Sequence, residues 1–405
     1  MSSHTQQPAA SPAATTHVMR VGMVGFGLRA GLHRELNAPE RGSVVSHVCD
    51  LSERGRADAA RALPEATITD DLEILLAAGL DAIVVLTPDF THREVVLRTL
   101  KAGIPTFCEK PLDITVEGAD QILAVARETG TRLYVGHNMR HMPVVRGMRD
   151  IVASGEIGEV KAVWCRHFVG NGGDYYFKDW HAQREYANTL LLQKGAHDID
   201  VIHWLAGGSS RRVSGMGGLT VYGDVASRRD NSDRRMWDWF SADNWPPTEQ
   251  TDLNPDLDVE DLSMVQMRLD NGVFASYEQC HFTPDYWRNY TVIGTAGRIE
   301  NFGDSPGGEI RVWTTRHSGL HDPDRVVPIE ESDGGHGGAD PALIQEFLRF
   351  ASEGGATDTS PVAAREAVAT GDLAARSLRA GGGAVDVPAL PEDLVAYFER
   401  GQTEA

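Results

Sequence analysis

Positive charge is scarce in this chain. Its 405 residues carry 38 Lys and Arg against 58 Asp and Glu, a formal net charge of −20. That sign argues against nucleic acid as a partner, because phosphate backbones are bound through surplus Lys and Arg. Cysteine is scarcer still: Cys49, Cys108, Cys165 and Cys280 are the four present, far apart and mostly inside apolar or strand-like runs. Such spacing supplies neither a metal-ligand pair nor a disulfide framework, and reads as buried free thiols in a reducing cytoplasm. No apolar run reaches the roughly 18 residues of a membrane helix. The opening MSSHTQQPAASPAATTH, residues 1–17, lacks the basic start and apolar stretch of a signal peptide and reads as a disordered leader. These absences point to a cytoplasmic protein with no metal, no membrane and no nucleic acid.

What the chain does have is alternation. A length of 405 residues exceeds what one core usually holds, so two domains are expected. From Met19 to about Val135 short apolar runs (MRVGMVGFG, SVVSHVCD, DAIVVLTP, IPTFCEKP, RLYVGHN) alternate with helical patterns (SERGRADAARAL, DDLEILLAAG, THREVVLRTLKAG, TVEGADQILAVARETG). That is the pattern of a doubly wound parallel sheet, here placed at residues 18–140. After Pro143 the character changes: a helix, a long strand EVKAVWCRHFVG, an aromatic loop GGDYYFKDWHAQREYAN and a helix TLLLQKGAHDIDVIHWLAGG. Mostly strand follows to about Val327, including a hairpin turning at Asn271-Gly272. A Trp-rich charged insert, residues 230–256, interrupts it, and two late helical patterns would pack back on the body. Residues 141–405 thus read as an α+β substrate domain.

In VGMVGFGLRAGLH, Gly25, Gly27 and Ala30 form G-x-G-x-x-A at the first strand–helix junction, with Phe26, Leu28 and Arg29 completing the loop. The first glycine permits the tight turn, the second lets a pyrophosphate approach the backbone, and Ala30 allows close packing, with the helix N-terminus facing the phosphates. Asp50 ends the second strand, where an acid receives the adenosine ribose hydroxyls and repels a 2′-phosphate. NAD is therefore favoured over NADP; Arg54 and Arg56 keep NADP open, and Asp50 as a plain helix cap is the alternative reading.

In such sheets ligands bind outside the carboxyl ends of the strands. Two strand exits, TPDFTH (residues 87–92) and CEKP (residues 108–111), lie on that edge. On the predicted helix of the second half, Lys194, His197 and Asp198 are three or four residues apart and share a face. Imidazole has the pKa to take a hydroxyl proton near neutrality, and a neighbouring ammonium keeps it neutral, so His197 is the candidate general base.

With G-x-G-x-x-A, TP-x-x-x-H, EKP, GHNMR at residues 136–140 and KGAHDIDVIHW in order, the chain resembles the Gfo/Idh/MocA family over nearly its whole length after residue 18. The resemblance implies a Rossmann domain paired with an open-faced, mostly antiparallel sheet domain, and hydride transfer between nicotinamide and a ring hydroxyl of a sugar or cyclitol. It also implies homodimers or homotetramers formed through the open sheet. Carried over, Glu109 would hold Lys110, Lys110 would contact the reacting hydroxyl and the nicotinamide ribose, and Pro111 would shape that turn. Thr87, Pro88 and His92 would line the nicotinamide end, with Asn138 in the cofactor set. The chain departs from a common family pattern at Gln193, where many sugar dehydrogenases carry an aspartate, so the proton route of inositol dehydrogenase does not transfer intact.

The substrate site would draw on Lys110, Arg140, Arg166, His167, His181, Lys194, His197 and Asp198, with His141 and Lys178 nearby and Tyr176 and Trp180 as ring-stacking candidates. Convergence of several of these cations would imply an anionic carbohydrate. Three functions remain: a sugar, sugar-acid or cyclitol dehydrogenase or reductase; a redox-neutral NAD-dependent glycosidase; and a non-catalytic sensor retaining the cofactor pocket.

Overall fold

The structure is a computed structural model describing residues 17–330 and 337–403; the leader expected at the start falls, apart from His17, outside them. Six strands of the first half form one parallel sheet: β1 (Met19–Val24), β2 (Ser43–Cys49), β3 (Thr67–Thr69), β4 (Ala82–Val85), β5 (Thr106–Cys108) and β6 (Leu133–Val135), in the order β3-β2-β1-β4-β5-β6. The chain winds one way from β1 through β3 and the other way from β4 through β6. The reversal lies between β1 and β4, where the crevice for a ligand opens.

The strands are apolar on both sides because both faces are covered. Val24, Ile83, Val85 and Cys108 pack with Ile122 and Leu123 of the helix Val116–Thr129 and with Leu394 and Phe398 of the helix Glu392–Glu399. On the other face Val21, Met23, Val84, Phe107 and Tyr134 pack with Leu343, Phe347 and Phe350 of the helix Ala339–Glu353. The helix expected after the glycine loop is short: a 3-10 turn over Ala30–Leu32 and one α turn over His33–Leu36. Pro39 follows closely, and proline together with the residue before it resists helix. The dipole expected at that N-terminus is correspondingly small.

The second sheet has nine strands: β7 (Val160–Phe168), β8 (Ser210–Gly218), β9 (Leu262–Leu269), β10 (Phe274–Cys280), β11 (Trp287–Gly294), β12 (Arg298–Phe302), β13 (Glu309–Trp313), β14 (Arg325–Pro328) and β15 (Val385–Asp386). Their order is β14-β13-β12-β11-β7-β10-β9-β8-β15, and neighbours run antiparallel except β7 and β10. The hairpin β9–β10 turns through Asn271 and Gly272, whose φ of +83° only glycine adopts easily. One face packs on the helices Pro143–Ala153, Gly195–Ala206 and Pro361–Arg379. The other is open and carries Trp164, Met216 and Phe274, the last 62% exposed.

The helix expected over residues 189–208 is two helices, Leu190–Gln193 and Gly195–Ala206, with Lys194 at the break. Gly195 lies so close to β10 that a Cβ there would stand 2.9 Å from the Tyr277 ring. The Trp-rich insert holds only short 3-10 turns, among them Met236–Asp238 and Pro247–Glu249.

Candidate active site

The glycine loop leaves β1 with Gly25 at φ +92°, and a Cβ there would come within 2.9 Å of the Leu86 carbonyl. A Cβ on Gly27 would meet nothing within 4 Å, so the loop's outer surface is free for a bulky anion to approach. Asp50 closes the same corner: its carboxylate accepts from Phe26 N–H (2.6 Å) and from the Ser52 amide and hydroxyl (2.8 and 2.7 Å). It remains half-buried with lone pairs to spare, so capping and ribose binding coexist in one residue. These residues fit NAD: an open glycine turn for the pyrophosphate and a carboxylate for the adenosine ribose.

At the opposite end of the crevice, Glu109 leaves β5 and accepts from Arg29 Nε (2.6 Å) and from the Lys110 amide (3.0 Å). Arg29 extends further, as a fork onto Asp340 at 3.0 Å, and Asn138 donates to the same carboxylate at 3.0 Å. The two residues expected beside the cofactor are thus tied into a strut between the glycine loop, the β5 exit and the helix Ala339–Glu353. His92 is 1% exposed, behind the crevice. Its nitrogens face the Pro111 and Thr87 carbonyls at 2.7 and 2.9 Å, so both must donate and the ring is an imidazolium. Burial opposes that charge, but Cys108, Asp89 and the Pro111 carbonyl outweigh it and raise the pKa to about 10. His92 therefore clips together the two strand exits, Thr87-Pro88 and Glu109-Lys110-Pro111, and contacts neither end of the cleft directly. The Lys110–Pro111 peptide is cis.

Lys110 Nζ donates to the Gln193 carbonyl (2.5 Å), directly at the break that carries Lys194 and one turn before His197. The His197 ring is buried, stands edge-on to His137 at 6.2 Å, and its Nδ1 has no hydrogen-bond partner among the described residues. Burial, then Lys110, His137 and Lys194, hold its pKa well below the ordinary value, so the imidazole is neutral and can accept a proton at physiological pH. Lys194 makes no ion pair among the described residues, and burial with Arg288 and Lys110 beside it lowers its pKa to about 7.

The floor is set by register. Arg288, His167 and Gln279 stand side by side on β11, β7 and β10, and Tyr290, Cys165 and Tyr277 form the next row inward. Asp198 drops from its helix into these rows and accepts from His167 Nδ1 (2.8 Å), Tyr277 (2.8 Å) and Tyr290, with Arg288 Nε 3.1 Å away as its ion-pair partner. Burial opposes its charge, yet Arg288 and His167 hold its pKa well below the carboxylate range. Burial and Arg288 lower His167 to about 4, leaving a neutral ring that donates to Asp198. Asp198, expected at the substrate, is instead a fully buried hub.

Two other expectations fail for geometric reasons. Arg166 precedes His167 on β7, and strand side chains alternate, so Arg166 lies on the open face with Asn289 as its partner (2.9 Å). Arg140 forks onto Asp200 at 2.7 Å through two nitrogens and stacks on Trp204, which uses its charge inside the helix layer. His141 sits beside Glu346 and Arg146, and Lys178 is buried on Asp174 at 2.9 Å. Tyr176, Trp180 and His181 do gather at the mouth: Trp180 stacks on His181 (3.7 Å) and meets Phe90 (5.9 Å), while Tyr176 meets His181 (5.7 Å) and His281 (5.2 Å).

The sequence reading overlooked Arg288, His281, Tyr286, Asp304 and Asp89. Arg288 also faces Asp304 (3.3 Å), which accepts from Tyr286 (2.6 Å). Asp89 is buried beside Lys110 and His181 with Oδ2 unpartnered among the described residues, and burial raises its pKa. A signal existed for Arg288: it occupies the buried phase of the alternation that continues through Tyr290 and Val292.

Residues 19–137 match the oxidoreductase family described as having an NAD-binding Rossmann fold, and residues 145–300 match the GFO/IDH/MocA C-terminal domain. The chain belongs to the Gfo/Idh/MocA family. It is an NAD-dependent oxidoreductase of that family, whose relatives include dehydrogenases of sugars and cyclitols. Inositol 2-dehydrogenase 1 of Saccharopolyspora erythraea is 32% identical over 200 residues, 48% of this chain and 57% of that protein. The 2,7-anhydro-N-acetylneuraminate hydratase of Mediterraneibacter gnavus is 28% identical over 193 residues, 44% of this chain and 50% of that protein. Each alignment thus spans about half of the relative. Levoglucosan dehydrogenase, solved with NADH and L-sorbose, shares the fold at a TM-score of 0.73 and 20% identity, covering 92% of this chain and 100% of that one. In this Gfo/Idh/MocA chain Lys110 comes from the β5 exit of the first sheet and His197 from the helix Gly195–Ala206, which packs on the second. No helix among the described residues is long and apolar enough to cross a membrane.

Proposed function

We propose that this protein oxidises a ring hydroxyl of an anionic sugar, sugar acid, glycoside or cyclitol. The observation that carries the anionic part is Lys194, a buried ammonium crowded by Arg288 and Lys110 and without a carboxylate partner among the described residues. Arg288 is already balanced by Asp198 and Asp304, so Lys194 is the cation left for a ligand's carboxylate, sulfonate or phosphate. Lys110 holds the reacting hydroxyl, and His197, neutral with an open ring nitrogen, takes its proton. NAD, held by the Gly25–Ala30 loop, Asp50 and the Thr87-Pro88 exit, supplies the hydride acceptor. Trp180 and Tyr176 at the mouth cover a sugar ring. The free thiols, three of them buried, suit a reducing compartment, and the open face of the second sheet, where Trp164, Met216, Met264 and Phe274 are exposed among charged residues, suits assembly into a homo-oligomer.

A second reading is favoured by the hydratase relative and by the presence of two bases, His197 and a Lys194 titrating near 7, in one pocket. Once a ring hydroxyl has become a ketone, the neighbouring C–H is acidic. Lys194 as its amine takes that proton, the group β to the carbonyl leaves with the electron pair, water adds in its place, and hydride returns to the ketone. The net reaction is hydrolysis with no change in redox state.

The deciding experiment incubates the protein with NAD and matched neutral and anionic sugars, glycosides and cyclitols, following 340 nm absorbance and product mass. NADH in proportion to oxidised product supports the first reading; cleaved glycoside without net NADH supports the second. Equal activity on neutral and anionic members overturns the anionic assignment. NAD binding with no turnover on any member points to the sensor reading.

A further inference from the structure

The Trp-rich insert belongs to the second half of the chain, yet its tip lands on the first. Its root is fixed by Trp239, buried and donating from Nε1 to the Asp174 carbonyl (2.8 Å), with the Arg234 guanidinium over its ring at 5.6 Å. Its tip carries Arg235, which donates to Asp58 (3.0 Å) and reaches the Ser52 hydroxyl (3.5 Å). Asp238 takes both terminal nitrogens of Arg54, at 2.6 and 3.1 Å, and accepts the Arg235 amide at 2.9 Å. Ser52, Arg54 and Asp58 lie on or directly before the helix Glu53–Ala62, and Ser52 is hydrogen-bonded to Asp50, the acid at the ribose position. Arg56 is turned inward to the Asp50 and Leu51 carbonyls at 3.0 and 2.9 Å. Both arginines that would receive a 2′-phosphate are therefore occupied, one of them by a carboxylate from the other half of the molecule.

We propose that residues 234–239 are a clasp across the adenosine end of the NAD site. Asp238 denies Arg54 to a 2′-phosphate, and the Arg54–Asp238 and Arg235–Asp58 pairs part before the cofactor leaves. The clasp adds to Asp50 a second source of NAD selectivity, and it makes cofactor release sensitive to salt, because both pairs are partly exposed.

The test uses the full chain with Asp238→Asn, Asp58→Asn and the double variant, none of which removes a cofactor-contacting residue. NADH and NADPH dissociation constants and NADH release rates are read from nicotinamide fluorescence, with melting temperature as the control for folding. Expected are a gain of about two- to fivefold in NADPH affinity relative to NADH for Asp238→Asn, and NADH release about three- to tenfold faster in the double variant, which loses two pairs. Release from the unaltered protein speeds up between 0.05 and 0.5 M NaCl, and release from the double variant does not. Folded variants with an unchanged NADH-to-NADPH preference and unchanged release overturn the clasp. Failure of the unaltered protein to bind NADH overturns both the clasp and the cofactor site beneath it.

Discussion

Replacing Asp198 by Asn separates a buried hub from a substrate ligand. The carboxylate accepts from His167 and Tyr277 at 2.8 Å and from Tyr290, three side chains without solvent contact, and pairs with the buried Arg288 guanidinium at 3.1 Å. Hydrogen bonds to a charged group contribute about 1.5–3 kcal/mol each, and removing one partner of a buried ion pair costs about 3–5 kcal/mol. Asparagine keeps the volume and one acceptor oxygen, and Arg288 retains Asp304 at 3.3 Å, so the lower end applies. A loss of about 3 kcal/mol lowers the melting temperature by about 6–12 °C for a domain of this size. The sign of the pH dependence follows from a folded pKa held below the unfolded one. The advantage of the unaltered protein over the variant is full above about pH 4 and is lost as pH falls through the depressed value. Circular dichroism melts at pH 7 and pH 3.5 with steady-state kinetics at 25 °C read both quantities. A melting temperature within about 2 °C of the parent together with a tenfold higher KM would refute the hub and return Asp198 to the substrate.

Lys110→Met and His197→Ala retain NAD binding by titration and lose turnover by about 10²–10⁴-fold, the range for removing a positioned acid–base group; near-parental kcat in both sinks the proposed site. Because Lys194 titrates near 7, KM for an anionic substrate climbs as pH rises above 7 and the ammonium is lost, and Lys194→Met gives a higher KM that no longer varies there. Calorimetry in buffers of different ionisation heat registers proton uptake when the anion binds, since a bound anion raises that pKa. His92 has a folded pKa near 10 against about 6.5 unfolded, so its contribution, a few kcal/mol at most, is full below pH 6.5 and vanishes as pH rises through 10. Urea midpoints at pH 6, 8 and 10 should fall more steeply for the parent than for His92→Gln.

The first sheet was legible in five of its six strands, because apolar runs end at Gly25, Asp50, Thr87 and Glu109 and the glycine loop marks where the winding starts; β3 was missed because Thr67–Thr69 is a three-residue, half-polar edge strand with no apolar run. The second sheet was legible as strand but not as a site. Its chemistry depends on which residues stand opposite one another, and the parallel β7–β10 pair joins segments about 110 residues apart in sequence. A charged residue on a strand carries no label for its face; Arg166 and His167 differ by one position and point to opposite sides. Arg140 misleads for another reason: Asp200, its partner, lies 60 residues away and is invisible to local pattern. The split of the helix at Lys194 is set by the approach of Gly195 to the Tyr277 ring, again a contact with another strand.

Charge placement gives the site its selectivity. At −20 the molecule repels anions at long range, and the Debye length of about 10 Å at 0.1 M salt removes most of that repulsion before a ligand reaches the cleft. Preference for an anion must then arise at contact, inside the cleft. There the cations are not evenly available: Arg29 is spent on Glu109 and Asp340, Arg288 on Asp198 and Asp304, and Arg140 on Asp200. Each pairing removes a positive charge from competition while fixing an element of the wall. Lys194 and Lys110 are the ammonium groups that remain, and they flank the His197 imidazole. An anionic ligand at Lys194 partly neutralises the field that depresses the His197 pKa, making the imidazole a stronger base when substrate is bound than when it is absent. The same cation that selects the ligand thus tunes the base that acts on it.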